Sequence, residues 1–394
     1  MKTNDFMGIY IHIPFCIRKC KYCDFLSFPA DEAAITMYVN SLIERITFLG
    51  KKYCLKVSTV FIGGGTPSIL PDGLISDIMA ALKNSFDMSD CYEITIECNP
   101  GTVSEEKLME YKRSGINRLS FGLQSTDNHE LAFIGRIHSY EDFLHSFNLA
   151  RKCGFTNINV DLMSALPYQT FDSYKDTLLK VIALNPEHIS SYSLILEEGT
   201  PMYSVDTSLL PDEDTEREMY YLTDALLKEN GYNRYEISNY AKPAYECAHN
   251  KSYWTRINYL GIGLGSSSLM TLDECYKGTS LPIAVRFSET TDFKDFCSKD
   301  YIYSEITALP SYSTLSKAEV MEEFMFLGLR LTDGISKKNF KNTFGYDIDD
   351  IYDKVISALI AKNLIEYEGD FLKLTKLGID VSNSVLAEFL EPEL

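Results

Sequence analysis

Residues 10–25, Tyr-Ile-His-Ile-Pro-Phe-Cys-Ile-Arg-Lys-Cys-Lys-Tyr-Cys-Asp-Phe, place three cysteines on one short loop behind an apolar strand. Iron–sulfur clusters are held by cysteine thiolates, usually four, so a loop that supplies three leaves one iron open to another ligand. We therefore interpret Cys16, Cys20 and Cys23 as cluster ligands. Two simpler interpretations stay open: a structural zinc site with His12 as fourth ligand, and three unrelated free thiols.

Short apolar runs alternate with amphipathic segments from residue 8 to about residue 240. The apolar runs predict strands at 9–13, 57–62, 93–97, 118–122, 157–162, 188–194 and 234–237. The amphipathic segments predict helices at 37–49, 105–112, 140–152, 174–184 and 216–228. Strands that alternate with helices pair in parallel through right-handed crossovers. The predicted fold class is therefore α/β, with a partial (β/α)6 barrel over residues 1–240 whose chemistry lies after the strands.

The composition of the chain restricts the class of protein. Its 394 residues call for two domains, and 45% hydrophobic with 24% charged residues is the make-up of a globular protein. The net charge of -19 lacks the basic face that nucleic-acid binding needs, so we expect no nucleic-acid partner. Seven of the ten cysteines are scattered, and we see no signal sequence or membrane-spanning apolar run, so we expect a reducing cytoplasm.

The rest of the chain divides into a tyrosine-rich connecting segment with a Gly-rich loop, 241–314, and a small α+β module, 315–394. In the module, Ser316-Lys-Ala-Glu319 is a capping box that begins a helix. Two more helices follow, and residues 365–374 form a predicted hairpin. Three helices and a hairpin resemble a winged-helix module. Its third helix is acidic and would repel phosphate, so we reject DNA binding.

Polar residues follow several of the predicted strands. Gly63-Gly-Gly-Thr-Pro67 comes directly after the second strand, where glycines expose amide donors and let a ligand approach the backbone. The other polar residues at strand ends and in the loops beyond are Glu97, Gln124, Arg136 and Asp161. Taken alone, each of these residues is equally well explained as a polar group at a strand end that has a partner within the protein. The glycines are equally well explained as a tight turn before a helix. Together they predict one polar mouth around the cysteines.

The cysteine spacing and the glycine motif resemble the radical S-adenosylmethionine (SAM) superfamily, in which SAM chelates the open iron through its amino and carboxylate groups. The whole chain resembles the group that contains oxygen-independent coproporphyrinogen III oxidase and the HemW haem chaperones. This resemblance implies a radical SAM barrel, a [4Fe–4S] cluster, and contacts to SAM from Tyr10, Tyr22, Gly64, Gly65, Thr66 and Glu97. It also implies that the positions holding a second SAM in the oxidase are Gln124, Arg136 and Asp161. Whether a second SAM binds here stays open.

Three features favour the chaperone branch of this resemblance. The oxidase has a further cysteine shortly after its third ligand, whereas Asp-Phe follows Cys23 here. The oxidase also begins with a long segment that helps to cover its porphyrin site, whereas nine residues precede Tyr10. Finally, residues 249–254, His-Asn-Lys-Ser-Tyr-Trp, resemble the His-Asn-x-x-Tyr-Trp motif of the chaperones.

The motif at 249–254 predicts a contact with haem. A neutral imidazole is a good axial ligand of haem iron, and flanking aromatic rings suit a flat apolar macrocycle. The resemblance therefore implies haem binding with His249 as axial ligand, and Cys247 is a competing thiolate. Without the resemblance, His249 is better interpreted as a buried hydrogen-bonding histidine, with Tyr253 and Trp254 in the core.

We therefore expect a cytoplasmic protein that binds haem and passes it to acceptor proteins, with the cluster and SAM stabilising or gating the haem-holding form. A transient contact with a membrane protein and a homodimer are further partners that we consider. The alternative is a radical enzyme, an oxygen-independent coproporphyrinogen oxidase that abstracts hydrogen from a propionate side chain. A third hypothesis, a winged-helix regulator that senses haem or redox state, conflicts with the acidic charge.

Overall fold

Six parallel strands form the centre of the structure, a computed structural model that describes residues 7–390. Each strand pairs in parallel with the next along the chain, and every connection between them carries at least one helix. The strands are β1 (Met7–Ile13), β2 (Val57–Gly64), β3 (Glu93–Cys98), β4 (Arg118–Gln124), β5 (Ile158–Ser164) and β6 (His188–Ser193). The predicted α/β fold with a partial (β/α)6 barrel is confirmed.

The helices of the barrel begin at capping residues that the sequence supplies. Ser139 and Thr170 each form a capping box, and Asp31 accepts a hydrogen bond from the Ala34 amide at 2.8 Å. The helices are α1 (Glu32–Tyr53), α2 (Leu74–Ser85), α3 (Glu105–Arg113), α4 (Asn128–Phe133), α5 (Tyr140–Lys152), α6 (Phe171–Ala183) and α7 (Glu213–Glu229). Short 3-10 turns lie at Pro67–Ile69, Pro201–Ser204, Thr207–Leu209 and Ile306–Ala308.

The barrel core forms where these helices pack on the strands. Ile9, Ile11 and Ile13 of β1 are fully buried, as are Leu42 and Ile46 of α1, four residues apart on one face of that helix. They belong to one continuous hydrophobic cluster that extends through all six strands. Burying each of these side chains stabilises the fold by about 1.5–3 kcal/mol. This packing holds the parallel strands in register, so that their carboxyl ends lie along one edge of the sheet.

The segment after α7 extends the sheet at both edges. It contains β7 (Asn233–Arg234), β8 (Asn239–Ala241), α8 (Ala248–Trp254), β9 (Tyr259–Ile262), β10 (Ser267–Cys275), β11 (Pro282–Ser288), α9 (Phe293–Phe296), α10 (Lys299–Ile302) and β12 (Ser313–Thr314). The strand β8 pairs antiparallel with β6, and β9 pairs parallel with β1. The sequence predicts no strands in 245–310, where the structure has β9 to β11, and a single strand at 234–237, where it has the short strands β7 and β8. The strand β10 becomes polar after Leu272 and therefore shows no regular period.

The C-terminal module is built from helices and a small sheet around its own core. Its elements are α11 (Lys317–Gly328), β13 (Ile335–Ser336), α12 (Lys337–Phe344), α13 (Ile348–Ala361), β14 (Ile365–Glu368), β15 (Phe371–Leu374), α14 (Lys376–Asp380) and α15 (Ser382–Ala387). The capping box of Ser316 and Glu319 forms as predicted. The hairpin turns at Gly369, whose φ of +60° suits a residue without a side chain. The predicted winged-helix-like module is thereby confirmed.

The barrel and the C-terminal module meet at a group of residues that we call the joint: Trp254, Arg256, Arg286, Glu323 and Arg330. Glu323 on α11 pairs with Arg256 Nε at 2.9 Å and with Arg286 Nη2 at 2.7 Å. The guanidinium of Arg330 lies 4.5 Å from the centre of the Trp254 ring. The joint is a charged and aromatic contact, and beside it Leu269, Leu281 and Ala284 of the connecting segment share the hydrophobic core of the C-terminal module. The predicted domain limits at residues 240 and 314 stay predictions.

Candidate functional site

The three cysteines lie on the loop between β1 and α1, at the carboxyl end of the first barrel strand. Backbone hydrogen bonds hold this loop: the Cys16 amide donates to the Phe28 carbonyl at 3.1 Å and the Cys23 amide to the Cys20 carbonyl at 3.3 Å. All three cysteines are partly buried and line one cavity of about 480 Å³. The structure therefore brings the three predicted ligands to one place, and their role stays a prediction.

The donor geometry suits a cluster better than a single ion. Among residues 7–390, no three His, Cys, Asp or Glu side chains converge closely enough to hold one metal ion. Cluster thiolates bind different irons and need not converge, whereas zinc draws all four of its ligands to about 2.0–2.3 Å from one point. His12, the fourth ligand in the zinc alternative, has both ring nitrogens in hydrogen bonds, to Tyr10 and to the Leu26 carbonyl.

Two hydrogen-bond donors are directed at the cysteine sulfurs. The Thr66 hydroxyl donates to Cys16 Sγ at 3.6 Å, and Arg136 Nη1 donates to Cys20 Sγ at 3.6 Å. The guanidinium of Arg136 is fixed in turn by Asn99, whose Oδ1 accepts from Nη2 at 2.8 Å. Hydrogen-bond donors to ligand sulfurs orient them and tune the properties of a bound cluster. Thr66 and Arg136 therefore have a contact to the cysteine loop even before any ligand is considered.

The glycines after β2 occupy a space that a larger residue would overfill. A Cβ atom on Gly65 would lie 2.6 Å from the Phe15 carbonyl oxygen. One on Gly64, whose φ is +114°, would lie 2.5 Å from the His12 ring. Both glycines line the cavity beside Thr66. Close packing against β1 and the cysteine loop is by itself enough to require them, and their predicted contact with SAM stays a prediction.

Two half-buried carboxyl groups face the cavity. Burial, and secondarily the charge of Asp161, raises the pKa of Glu97 to about 8. Burial also raises the pKa of Asp161, although Asn159 Nδ2 donates to it at 2.7 Å. Glu97 accepts one hydrogen bond, from the Gly64 amide at 3.0 Å. Both side chains line the cavity, so each has a carboxyl group available to accept hydrogen bonds from a polar ligand.

Gln124 ends β4 in a strained backbone conformation. Its φ of +76° is uncommon for a residue with a side chain, and such strain accumulates at binding sites. The conformation places the side chain in the cavity lining, where the Tyr192 hydroxyl donates to Oε1 at 3.1 Å. Tyr22 lines the same cavity from the cysteine loop. The structure thus collects Tyr22, Gln124, Arg136 and Asp161 around one space.

Tyr10 is the one predicted SAM contact that lies outside the cavity lining. Its hydroxyl bonds to His12 Nδ1 at 3.0 Å, and its ring lies 6.3 Å from that of Phe61. Sequence analysis also missed lining residues, namely Asn99, Ser120, Ser190, Tyr192 and Asn239. Asn99 directly follows β3, so its position after an apolar run was an available signal, whereas the other four lie within β4, β6 and β8. The contact of Tyr10 with SAM stays a prediction.

His249 on α8 is buried in the protein and does not line the cavity. Its Nδ1 bonds to the Thr59 hydroxyl and its Nε2 to the Tyr253 hydroxyl, both at 2.9 Å. The ring stacks on Phe61 at 5.3 Å between centres. Burial, and secondarily the charge of Arg118, lowers the pKa of His249 to about 3. Both ring nitrogens are thus occupied, and axial ligation of haem would break one of these bonds.

The neighbours of His249 are also engaged within the protein. Cys247 is fully buried, and its Sγ lies 3.6 Å from Glu93 Oε1. The same carboxylate accepts from the amides of Ala248 and His249 at 2.9 Å, so it caps the start of α8. Trp254 contributes to the joint. In this conformation His249 is a buried hydrogen-bonding histidine, whereas Asn250 lines the cavity, and the predicted haem contact of the motif stays a prediction.

Comparison with protein families places both ends of the chain. The model of the radical SAM superfamily matches residues 10–181, and the model of the HemN C-terminal domain matches residues 315–381. The solved coproporphyrinogen III oxidase HemN from Escherichia coli, described as a radical SAM enzyme, superposes with a TM-score of 0.83 at 22% identity. That alignment covers 98% of this chain and 90% of the oxidase, which establishes the fold alone.

Curated relatives match over nearly the full length. The haem chaperone HemW of Bacillus subtilis (strain 168) is 36% identical over 393 residues, which cover 97% of this chain and 98% of the relative. The haem chaperone HemW of Escherichia coli (strain K12) is 32% identical over 390 residues, with 98% of both chains covered. The similarity therefore includes the barrel, the connecting segment and the C-terminal module.

Proposed function

The chain belongs to the radical SAM superfamily and, within it, to the family of HemW haem chaperones, and we propose that it carries haem to acceptor proteins. In this proposal a [4Fe–4S] cluster and SAM occupy the mouth of the barrel and stabilise or gate the haem-holding form. The observation that carries the proposal is the full-length match, at 36% identity, to a protein named a haem chaperone.

The residues of the mouth fit both cofactors. Cys16, Cys20 and Cys23 would hold the cluster, and the remaining lining provides carboxyl, amide and guanidinium groups for the polar groups of SAM. When bound, the cluster offers an open iron to the amino and carboxylate groups of SAM and a source of single electrons. The carboxyl groups of Glu97 and Asp161, which line the cavity, would accept hydrogen bonds from the bound SAM. Arg136 would hold the cluster side of the cavity through its contact with Cys20.

The partners of the proposed carrier are haem and haem-acceptor proteins. Transfer would include a transient contact with membrane-bound acceptors, and the chain would work in the cytoplasm and form a homodimer. Within residues 7–390, none of the helices has the length and apolar character that crossing a membrane would require. The third helix of the C-terminal module, α13, has Asp349 and Asp350 in its first turn, which supports a protein partner over DNA.

The proposal is tested by anaerobic titration of cluster-reconstituted full-length protein with haem, followed by its Soret band. We expect saturation near one haem per chain, and loss of the bound haem to an added apo-haemoprotein. A protein that binds no haem would contradict the proposal. The alternative oxidase is tested in the same preparation with coproporphyrinogen. If 5′-deoxyadenosine forms only when coproporphyrinogen is present, the protein is an oxidase and the carrier proposal is wrong.

A further inference from the structure

Three large apolar side chains are unusually exposed around the mouth of the barrel, and we call them the rim: Ile17, Phe25 and Ile195. They are 60%, 64% and 67% exposed, and among the described large apolar residues only Tyr92, at 62%, matches them. Single exposed apolar residues are normal, whereas a group of them beside a cavity marks an interaction surface. The rim contributes little to the folded core, so folding does not explain it.

The rim residues come from distant parts of the chain and meet at one opening. Phe25 is on the loop after β1 and Ile195 on the loop after β6, the first and last strands of the barrel, and both line the same cavity. Ile17 lines a small groove that shares Arg18, Cys20 and Arg136 with that cavity. An apolar ligand that covered the mouth would therefore meet Phe25 and Ile195, with Ile17 in the adjoining groove.

Cations lie between the rim residues in a chain whose net charge is -19. Arg18, Lys19 and Lys21 are exposed, and within residues 7–390 none of them lies in an ion pair with a carboxylate. Arg18 Nη2 donates to the Gly135 carbonyl at 3.0 Å and Lys19 Nζ to the Phe25 carbonyl at 2.8 Å. These neutral acceptors leave both charges uncompensated.

Acidic residues are also present at the mouth: Asp24 on the cysteine loop and Glu197 beyond β6 line the cavity. Neither pairs with the three cations in the described structure. The cysteine loop therefore presents net positive charge next to exposed apolar surface. A ligand that matches it is flat and apolar with carboxylates at one edge.

We infer that the rim binds the face of haem and that Arg18 and Lys19 bind its propionates. This inference rests on the proposed function and assigns the place of the cargo within it. A cavity of about 480 Å³ has the size of one small-molecule site, so with the cluster and SAM inside, the macrocycle lies across the opening. Asn250, the neighbour of His249 on α8, lines the same cavity, so the opening also borders the motif at 249–254.

The test compares haem affinity among cluster-reconstituted, SAM-loaded variants of the full chain. We expect Ile195→Ser and Phe25→Ser each to weaken haem binding about tenfold, because each exposed side chain loses its apolar contact with the ring. Tyr92→Ser, equally exposed but at the other end of the strands, is the matched control and should bind like the wild type. Ile195 is far from the cysteines in sequence, so iron and sulfide content should stay unchanged in its variant.

A second probe separates charge from apolar contact. Arg18→Gln combined with Lys19→Gln should weaken the binding of haem about tenfold and leave the binding of haem dimethyl ester, which lacks free carboxylates, unchanged. A wild type that binds no haem would defeat the proposed function itself. A wild type that binds haem, with rim variants of equal affinity, would overturn only this inference. Rim variants that bind haem normally but fail to transfer it would instead make the rim a docking surface for the acceptor, which also overturns it.

Discussion

The mouth of the barrel and the motif on α8 both carry residue types that bind metals and cofactors, and they differ in what these residues contact. At the mouth, Cys16, Cys20, Cys23 and the two carboxyl groups border a cavity. On α8, His249 has both ring nitrogens bonded to protein hydroxyls, and Cys247 lies against a buried carboxylate. The comparison teaches that residue type and spacing identify candidate binding sites in a sequence. Hydrogen-bonding groups that are free beside a cavity then distinguish a binding site from a packed core.

The largest difference that we expect between the two regions concerns the cluster. Cys20→Ser should reduce the iron content of anaerobically reconstituted protein from about four per chain to near zero, because the loop has no spare thiolate. Cys247→Ser, on the buried side, should keep its iron and its absorption near 400 nm. Iron and sulfide analysis of both variants measures this. A Cys20→Ser protein with four irons would place the cluster elsewhere.

The next effect concerns stability on the α8 side. His249→Ala should lower the free energy of unfolding by about 3 kcal/mol, because the hydroxyls of Thr59 and Tyr253 lose a buried partner. Urea denaturation measures it, with His145→Ala on the exposed side of α5 as a control expected to stay within about 0.5 kcal/mol. Haem stoichiometry of the folded fraction should be unchanged. A variant that kept its stability but lost its haem would make His249 the axial ligand.

The barrel could be predicted well from the sequence, and the elements that could not be predicted have physical reasons. The helix at 140–152 begins and ends where it was predicted, because the capping box of Ser139 marks its start. The strands β9 and β10 were missed because β9 has only four residues and β10 becomes polar after Leu272, so neither shows a clear period. The direction of a side chain is set by packing, so the sequence could not tell that Gln124 faces the cavity and that His249 does not.

The two regions should also differ in the sign of their pH dependence. Glu97 has its pKa raised from 4.5 to about 8, so the native state keeps a proton that the unfolded chain loses. Its contribution to stability is present below pH 4.5 and is lost as the pH rises through about 8. His249 has its pKa lowered from 6.5 to about 3, so its contribution is present above pH 6.5 and is lost as the pH falls to about 3.

Each group therefore tilts the stability curve by up to about 1.4 kcal/mol per pH unit within its window. In cluster-free protein, Glu97→Gln should gain stability relative to the wild type between pH 5 and pH 8. The deficit of His249→Gln should shrink between pH 6.5 and pH 4. Urea denaturation over this pH range measures both slopes. Parallel curves for the wild type and Glu97→Gln would mean that the carboxyl at the mouth is hydrated.

The smallest expected effect tests whether the joint is independent of the mouth. Arg330→Met removes the charge above Trp254 but keeps a side chain that packs on the ring, so we expect a loss of about 1 kcal/mol. The emission of Trp254, the only tryptophan, reports the change directly. Haem affinity should be unaffected, because no residue of the joint lines the cavity. If Arg330→Met weakened haem binding as strongly as the rim variants, the joint and the mouth would be coupled. The C-terminal module would then influence haem binding at the mouth.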